Sequence, residues 1–95
     1  MQPKPQLKWR QQAIDELVEI VEYIAEDNPN AAQALKDEIE EKTAKLPDHP
    51  KLYKPSPRVK VMRELVARSN YIVLYRETSM LVEVVNVFHA RRQWP

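Results

Sequence analysis

Three strand-like runs follow one another in the C-terminal third of the chain. Residues 61–67, 71–76 and 81–88 are rich in β-branched and aromatic side chains, and short polar links separate them. This pattern is typical of consecutive strands in an antiparallel sheet. Near the N-terminus, residues 7–10 alternate apolar and basic side chains, which suits a short edge strand that Pro3 and Pro5 keep from extending upstream.

Between these strands the apolar residues recur with the period of an α-helix. A first helix is predicted from Ala13 onward, with an inward stripe of Ile14, Leu17, Val18, Val21, Ile24 and Ala25. A second helix is predicted to bury Ala32, Leu35, Ile39, Thr43 and Leu46. Asn28 is its expected N-cap, with Pro29 at the first helical position, and a capping box of Asn30 with Gln33 is the alternative.

A proline-rich stretch at residues 47–57 carries the chain from the helices to the sheet. Its four prolines exclude regular structure, while Leu52 and Tyr53 can anchor it to the core. The element order is therefore β-α-α-β-β-β. It predicts an α+β fold in which a helical hairpin packs on one face of a small antiparallel sheet and leaves the other face open. A chain of 95 residues makes one domain, 1–95, of which residues 1–6 are expected to be flexible.

The amino-acid composition excludes several classes of functional and structural site. The chain has no cysteine and no glycine, which excludes disulfides, thiolate metal sites and glycine-rich phosphate-binding loops. Neither His49 nor His89 has neighbours at metal-ligand spacing, so no metal and no cofactor is expected. No apolar run suggests a membrane span or a secretory signal. We therefore expect a cytoplasmic protein without a membrane partner.

Charge is distributed unevenly along the chain. Residues 13–50 carry a net charge of −8, whereas residues 51–95 carry +6 and the first 12 residues carry +3. This asymmetry fits a protein whose sheet meets an anionic partner. It fits equally well a pair of helices whose surface glutamates serve helix formation and solubility.

Hydrolysis of RNA on the sheet is the one enzymatic chemistry that the residues leave open. It needs a general base, a general acid and cations that stabilise the developing phosphorane. The candidates are Arg63, Arg76, His89, Arg91 and Arg92, with Tyr71 and Tyr75 nearby. A structural role is the alternative for most of them, since Arg63 and Arg76 can form cross-strand pairs with Glu83, and His89 can be a hydrogen-bonded structural residue.

The C-terminal tail is harder to explain by packing. Arg91, Arg92 and Trp94 lie within five residues after His89, and arginine with tryptophan is the combination enriched in binding hot spots. A tryptophan there either folds back or meets a partner. We interpret these four residues, together with the helix residues Ile20 and Tyr23, as partner-binding.

The element order and several short sequences resemble the RelE/ParE superfamily of bacterial toxins from type II toxin–antitoxin pairs. The resemblance rests on Asn-Pro-Asn-Ala-Ala at residues 28–32, Arg-Glu-Leu-Val at 63–66 and Asn-Tyr-Ile-Val-Leu-Tyr-Arg at 70–76. The ending at residues 84–95, with His-Ala-Arg-Arg-Gln-Trp-Pro from residue 89, is similar to the ParE branch. The resemblance covers nearly the whole chain and implies a cognate antitoxin as partner.

Members of this superfamily act on one of two targets, the translated mRNA or DNA gyrase. The resemblance implies the target of the ParE branch, DNA gyrase. RelE-type members cut mRNA on the ribosome, whereas ParE-type members are described as poisons of DNA gyrase. At positions where the RelE pattern has catalytic cations, this chain has Ile72 and Leu65, and only Arg63 is retained. The hypothesis is thus a gyrase-binding toxin without catalytic residues. The alternatives are a ribosome-dependent endonuclease using His89, Arg63 and Arg92, or an inactive toxin-fold module that only binds antitoxin.

Overall fold

The computed structural model describes residues 4–91, and it contains the six predicted elements in the predicted order. Strand β1 is Gln6–Trp9, helix α1 is Gln11–Asp27 and helix α2 is Pro29–Ala44. After the proline-rich loop come β2 (Arg63–Ala67), β3 (Tyr71–Glu77) and β4 (Leu81–His89). The predicted α+β fold and its element order are confirmed.

The four strands form one sheet in the order β1-β4-β3-β2. The pairs β2–β3 and β3–β4 are antiparallel, as predicted, but β1 lies parallel to β4 and makes the sheet mixed. Alternation of side chains gives the faces of a strand and not its direction, so the sequence pattern could not specify this pairing. A parallel pair needs a long connection, which here includes both helices and the other two strands.

Asn28 both ends α1 and caps α2. Its side-chain Oδ1 accepts a hydrogen bond of 3.0 Å from the backbone N–H of Ala31, and Pro29 occupies the first helical position. The alternative capping box does not form, because the Gln33 side chain instead donates to Asp37. The tight link is what packs the two helices as a hairpin.

The main core lies between the hairpin and the sheet. Every residue that was predicted to face inward from α2 and its C-terminal turn is buried: Ala32, Leu35, Ile39, Thr43 and Leu46. The prediction for α1 was only partly right. Leu17 is buried, but Ile14 and Val18 are 39% and 49% exposed, because α2 and the short β1 do not reach over the whole stripe.

We predicted that the second face of the sheet is open, but the structure shows that part of it is covered. Val59 and Met62, from the end of the loop, pack over Ile72, Leu74 and Phe88 in a small second core. The Arg58 guanidinium lies 5.7 Å from the centre of the Phe88 ring and pairs with Glu64 at 3.1 Å. The sequence showed a proline-rich crossing loop, but not which face it crosses.

Turns without glycine require other residues to adopt positive φ. Val61, Arg68 and Ser69 do so, with φ of 62°, 52° and 63°. For a β-branched residue this conformation is strained. Val61 is 92% exposed, so its side chain contributes little packing in return.

Val61→Gly is therefore expected to stabilise the fold. Relief of the strain, less the larger chain entropy of glycine in the unfolded state, gives about 1 kcal/mol. Urea unfolding measures the difference. Val66→Gly, within β2, is the control that should destabilise, and a destabilised Val61→Gly variant would contradict the strain at this position.

Candidate functional site

The C-terminal end of β4 and the middle of α1 enclose a cleft of about 330 Å³, here called the His89 cleft. It is lined by Glu16, Glu19, Ile20, Tyr23, Tyr71, Val87, Phe88 and His89. Three of the predicted partner-binding residues, Ile20, Tyr23 and His89, thus come together in one place. Arg91 is exposed at the end of the described chain, while Arg92 and Trp94 lie outside the described residues.

His89 is held by its neighbours in one orientation. It lies opposite Tyr71 on β3, and the two rings make an edge-to-face contact with centroids 5.1 Å apart. Its Nδ1 accepts a hydrogen bond of 3.0 Å from the backbone N–H of Arg91. In the neutral imidazole the proton therefore sits on Nε2.

The described lining of the His89 cleft is acidic. Within residues 4–91, the ionisable side chains that line it, besides His89, Tyr23 and Tyr71, are the carboxylates of Glu16 and Glu19. A nuclease site needs cations to stabilise the charge that develops on the phosphate. Two carboxylates in the same cleft would repel a phosphate rather than bind it.

The side chain of Arg63, the second nuclease candidate, is bound to groups outside the His89 cleft. Its Nη1 donates to the backbone carbonyl of Tyr53 at 2.8 Å, and its Nε lies 3.5 Å from the Glu77 carboxylate. In the sheet it pairs with Tyr75, whereas His89 pairs with Tyr71. Four residues along a strand separate these positions by about 13 Å. The fold does not bring Arg63 to His89.

The positions where a RelE-type enzyme carries cations hold core residues here. Leu65 is fully buried on the helix-facing side, and Ile72 is buried in the second core. Both side chains pack with apolar neighbours, so neither position leaves room for a charged group. At these two positions the sheet therefore contributes packing to the core.

Glu16 has a structural role that the sequence analysis missed. Its carboxylate accepts hydrogen bonds from the Asn86 side chain at 3.1 Å and from the Val87 backbone N–H at 2.9 Å. These bonds fasten α1 to β4 beside the irregularity in the β3–β4 pairing at Leu74/Tyr75. The signal in the sequence was an asparagine between apolar residues of β4, at Val85 and Val87.

A second charged group on the sheet is a three-residue cluster around Glu83. Arg76 Nε lies 2.7 Å from the Glu83 carboxylate and Arg10 Nε lies 3.2 Å from it, while Glu83 is only 7% exposed. The predicted cross-strand pair of Arg76 with Glu83 is thus confirmed. The hydrogen bond from Arg10, and then that from Arg76, holds the pKa of Glu83 below its usual range.

The two arginines are expected to substitute for one another in stabilising Glu83. Arg10→Gln and Arg76→Gln should each lower the free energy of unfolding by less than about 0.5 kcal/mol, whereas the double variant leaves a buried carboxylate unpaired and should lose about 2 kcal/mol. Because the folded-state pKa of Glu83 lies below the unfolded value of about 4.3, the pairs stabilise above that pH, and their contribution is lost as the pH falls through the folded-state pKa. A double-mutant cycle by urea unfolding at pH 7 and pH 3 measures both effects. Additive losses at pH 7 would contradict the shared pairing.

An apolar groove of about 470 Å³ runs between β1 and the two helices. It is lined by Leu7, Trp9, Ile14, Leu17, Val18, Val21, Glu22, Lys36, Glu40 and Thr43. The exposed residues of the α1 stripe, Ile14 and Val18, therefore form part of the wall of a concave surface. We call it the β1 groove.

The two edges of the sheet differ in how their backbone groups are used. At the C-terminal end of β2, the Val66 carbonyl accepts from Lys42 Nζ at 3.0 Å and the Arg68 N–H donates to Glu38 at 2.9 Å, so α2 covers this end of the edge. That backbone hydrogen bond, with Lys42, lowers the pKa of Glu38. The other edge is β1, the terminal strand of the sheet as described.

Along one edge of β1, backbone groups point away from β4 and could pair with another strand. Gln6 and Arg10 donate their N–H groups to the carbonyls of Met80, which directly precedes β4, and of Val84 in β4. Because these groups alternate in direction along a strand, those of Leu7 and Trp9 point away from β4, toward the free edge. The same two residues line the β1 groove. An added strand or helix would find apolar surface and backbone partners together.

Within residues 4–91, the side chains form no cluster of three or more histidines and carboxylates that could hold a metal ion. Over the same residues, no helix has the length and apolar character needed to cross a membrane.

A family model for the ParE toxin of the type II toxin–antitoxin system parDE matches residues 7–94. The chain belongs to the ParE toxin family. A curated relative from Sinorhizobium fredii, named "Putative toxin Y4kP", is 38% identical over 93 residues, which are 97% of this chain and 95% of the relative. The predicted superfamily and its ParE branch are confirmed.

Solved structures share the fold of this ParE-family chain. A structure of the chromosomal ParDE system from P. aeruginosa matches with a TM-score of 0.77 at 18% identity, covering 90% of this chain and 96% of that one. YafQ from E. coli matches with a TM-score of 0.62 at 14% identity, over 92% and 94% of the two chains. The RelBE2 toxin–antitoxin complex from Mycobacterium tuberculosis gives 0.60 at 19% identity, over 97% and 98%.

Proposed function

We propose that this ParE-family toxin acts in the cytoplasm by binding and poisoning DNA gyrase, which blocks replication and growth, and that a cognate antitoxin neutralises it. The observation that carries the choice of target is the charge around His89. Among the described residues, His89 shares its cleft with the carboxylates of Glu16 and Glu19, and no cationic side chain lines it. This arrangement supports a toxin that acts by binding over one that cleaves RNA.

The β1 groove is the proposed site of the antitoxin. Ile14 and Val18 offer exposed apolar side chains, and at the neighbouring edge the backbone groups of Leu7 and Trp9 have no strand partner within residues 4–91. An amphipathic helix in a groove and a strand added to an edge are the two common ways in which a segment docks on such a surface. Lys36 and Glu40, at the rim, would set the register of the segment through charge pairs.

A supercoiling assay tests the proposed target. Purified toxin, DNA gyrase and relaxed plasmid are incubated together, and the expected result is loss of supercoiling or accumulation of cleaved plasmid held by gyrase. The antitoxin, added first, should restore activity. Unchanged supercoiling at stoichiometric excess of folded toxin would contradict the proposal.

Primer extension on translated mRNA tests the endonuclease alternative. Because the His89 cleft lacks cations among the described residues, the ribosome-bound message should stay intact during toxin expression. Cuts within codons that disappear in the His89→Ala variant would show instead that the ribosome is the target. Harmless expression without antitoxin, combined with intact mRNA and active gyrase, would show an inactive antitoxin-binding module.

A further inference from the structure

The sheet face that points away from the helices has a group of cations for which the proposed function gives no use. Lys8 lies between two residues that pack on the main core, so its side chain points to the opposite face. The same alternation places Glu83 and Arg76 on that face, and the Arg10 guanidinium joins them through its ion pair with Glu83. We call Lys8, Arg10 and Arg76, with Glu83 between them, the cationic face.

The cationic face extends over three neighbouring strands. In the sheet register, Glu83 on β4 lies opposite Lys8 on β1 and opposite Arg76 on β3. Because adjacent strands are about 4.8 Å apart, the backbones of Lys8 and Arg76 are separated by about 10 Å. Each strand of duplex DNA has one phosphate per 3.4 Å or so of helix axis, so a surface of this width faces about three phosphates.

Glu83 orders the two arginines before any ligand binds. Its buried carboxylate lies 2.7 Å from Arg76 Nε and 3.2 Å from Arg10 Nε, while both arginine side chains remain partly exposed. Arg76 makes this contact through Nε, and its two terminal nitrogens have no partner within residues 4–91. A guanidinium that is already ordered loses less entropy on binding, and its remaining N–H groups can donate to a phosphate.

The aromatic residues favour a duplex over a single strand as the ligand. Proteins that bind single-stranded nucleic acid stack its bases on exposed aromatic side chains. On the described part of this sheet face the aromatic residue is Phe88, which is buried in the second core, whereas Trp9 and Tyr75 pack on the helix side. The cationic face therefore offers charge without a stacking surface, which suits the phosphate backbone of a duplex.

The charge of the helices determines which side of the molecule faces a polyanion. Helix α1 contains six acidic and no basic residues, and α2 contains four acidic and two basic residues. Both helices pack on the sheet face opposite to the cationic face. A polyanion is thus repelled from the helices and attracted to the cationic face.

We propose that the cationic face binds the phosphate backbone of double-stranded DNA, with Lys8, Arg10 and Arg76 each opposite a phosphate. Glu83 is a positioning residue that holds the two arginines toward the DNA. A toxin bound to gyrase thereby gains a second contact, to the DNA on which gyrase acts. The inference goes beyond the proposed function, and its test contains no gyrase, so the two can fail separately.

Fluorescence anisotropy of a labelled DNA duplex, titrated with the full chain without antitoxin, tests this. The logarithm of the association constant should fall linearly with the logarithm of the salt concentration, with a slope of about −2.7 for three phosphate contacts. Lys8→Gln, Arg10→Gln and Arg76→Gln should each make the slope shallower by about 0.9 and weaken binding about tenfold at about 0.1 M salt. Circular dichroism verifies that each variant is folded.

Lys45→Gln is the matched control, because it removes the same charge from an exposed side chain at the C-terminal end of α2. It should bind the duplex as the unmodified chain does. Absence of binding at low salt would overturn the proposal, as would equal effects of Lys45→Gln and Lys8→Gln. Tighter binding of a single-stranded oligonucleotide of the same length would also overturn it. If polyglutamate displaced the duplex as well as unlabelled duplex does at equal charge, the ligand would be an acidic polypeptide instead.

Discussion

Phe88→Ala is expected to lower the free energy of unfolding by about 3–5 kcal/mol, a large share of the total for a domain of this size. Phe88, on β4, is 1% exposed. It is the largest side chain of the second core, which forms between the sheet and the end of the loop. Its removal leaves a cavity and also takes away the ring on which Arg58 lies. Urea unfolding followed by circular dichroism measures the loss.

Phe88→Leu is the control, because it retains most of the apolar volume and should cost less than about 1.5 kcal/mol. If Phe88→Ala were as stable as Phe88→Leu, the loop would not cover this face in solution. Protection of the backbone amides of β3 from hydrogen exchange gives the same comparison residue by residue.

Val18→Asp is expected to weaken antitoxin binding by about 30-fold to 1,000-fold, the range for loss of a central apolar contact. Val18 is 49% exposed in the β1 groove, where an aspartate would place a charge in a largely apolar interface. The toxin should remain folded, since the side chain is only half covered. Isothermal titration with the purified antitoxin measures the affinity.

Val66→Asp is the matched control for this prediction. Val66 is 45% exposed, close to the value for Val18, but it lies on β2 at the opposite edge of the sheet. Its variant should bind antitoxin as the unmodified chain does. Equal losses in the two variants, or a loss only in Val66→Asp, would place the antitoxin away from the β1 groove.

Much of the fold followed from the sequence because its local signals are strong. The buried stripe of α2, the Asn28 cap and the three C-terminal strands agree with propensity, spacing and capping. The ParE family could be identified from short sequences near the cap, the strands and the ending.

The features that sequence reasoning missed depend on tertiary arrangement. Periodicity shows that Ile14 and Val18 are apolar, but not that α2 and β1 stop short of covering them. A proline-rich loop can cross either face, and a strand can run in either direction, without a change in its own pattern. The acidic surroundings of His89 arise from residues about 70 positions apart in the chain, so no local pattern could reveal them.

The central claim is that this toxin works by binding gyrase and not by catalysis, and a stoichiometric titration tests it most directly. Gyrase at fixed concentration is titrated with the unmodified toxin and with His89→Ala, and supercoiling is measured at each ratio. A binding inhibitor should remove activity in proportion to the toxin added. An excess of His89→Ala should also remove it, because His89 performs no chemistry in the proposed function. Full supercoiling at several-fold excess of folded toxin, together with mRNA cleavage that requires His89, would contradict it.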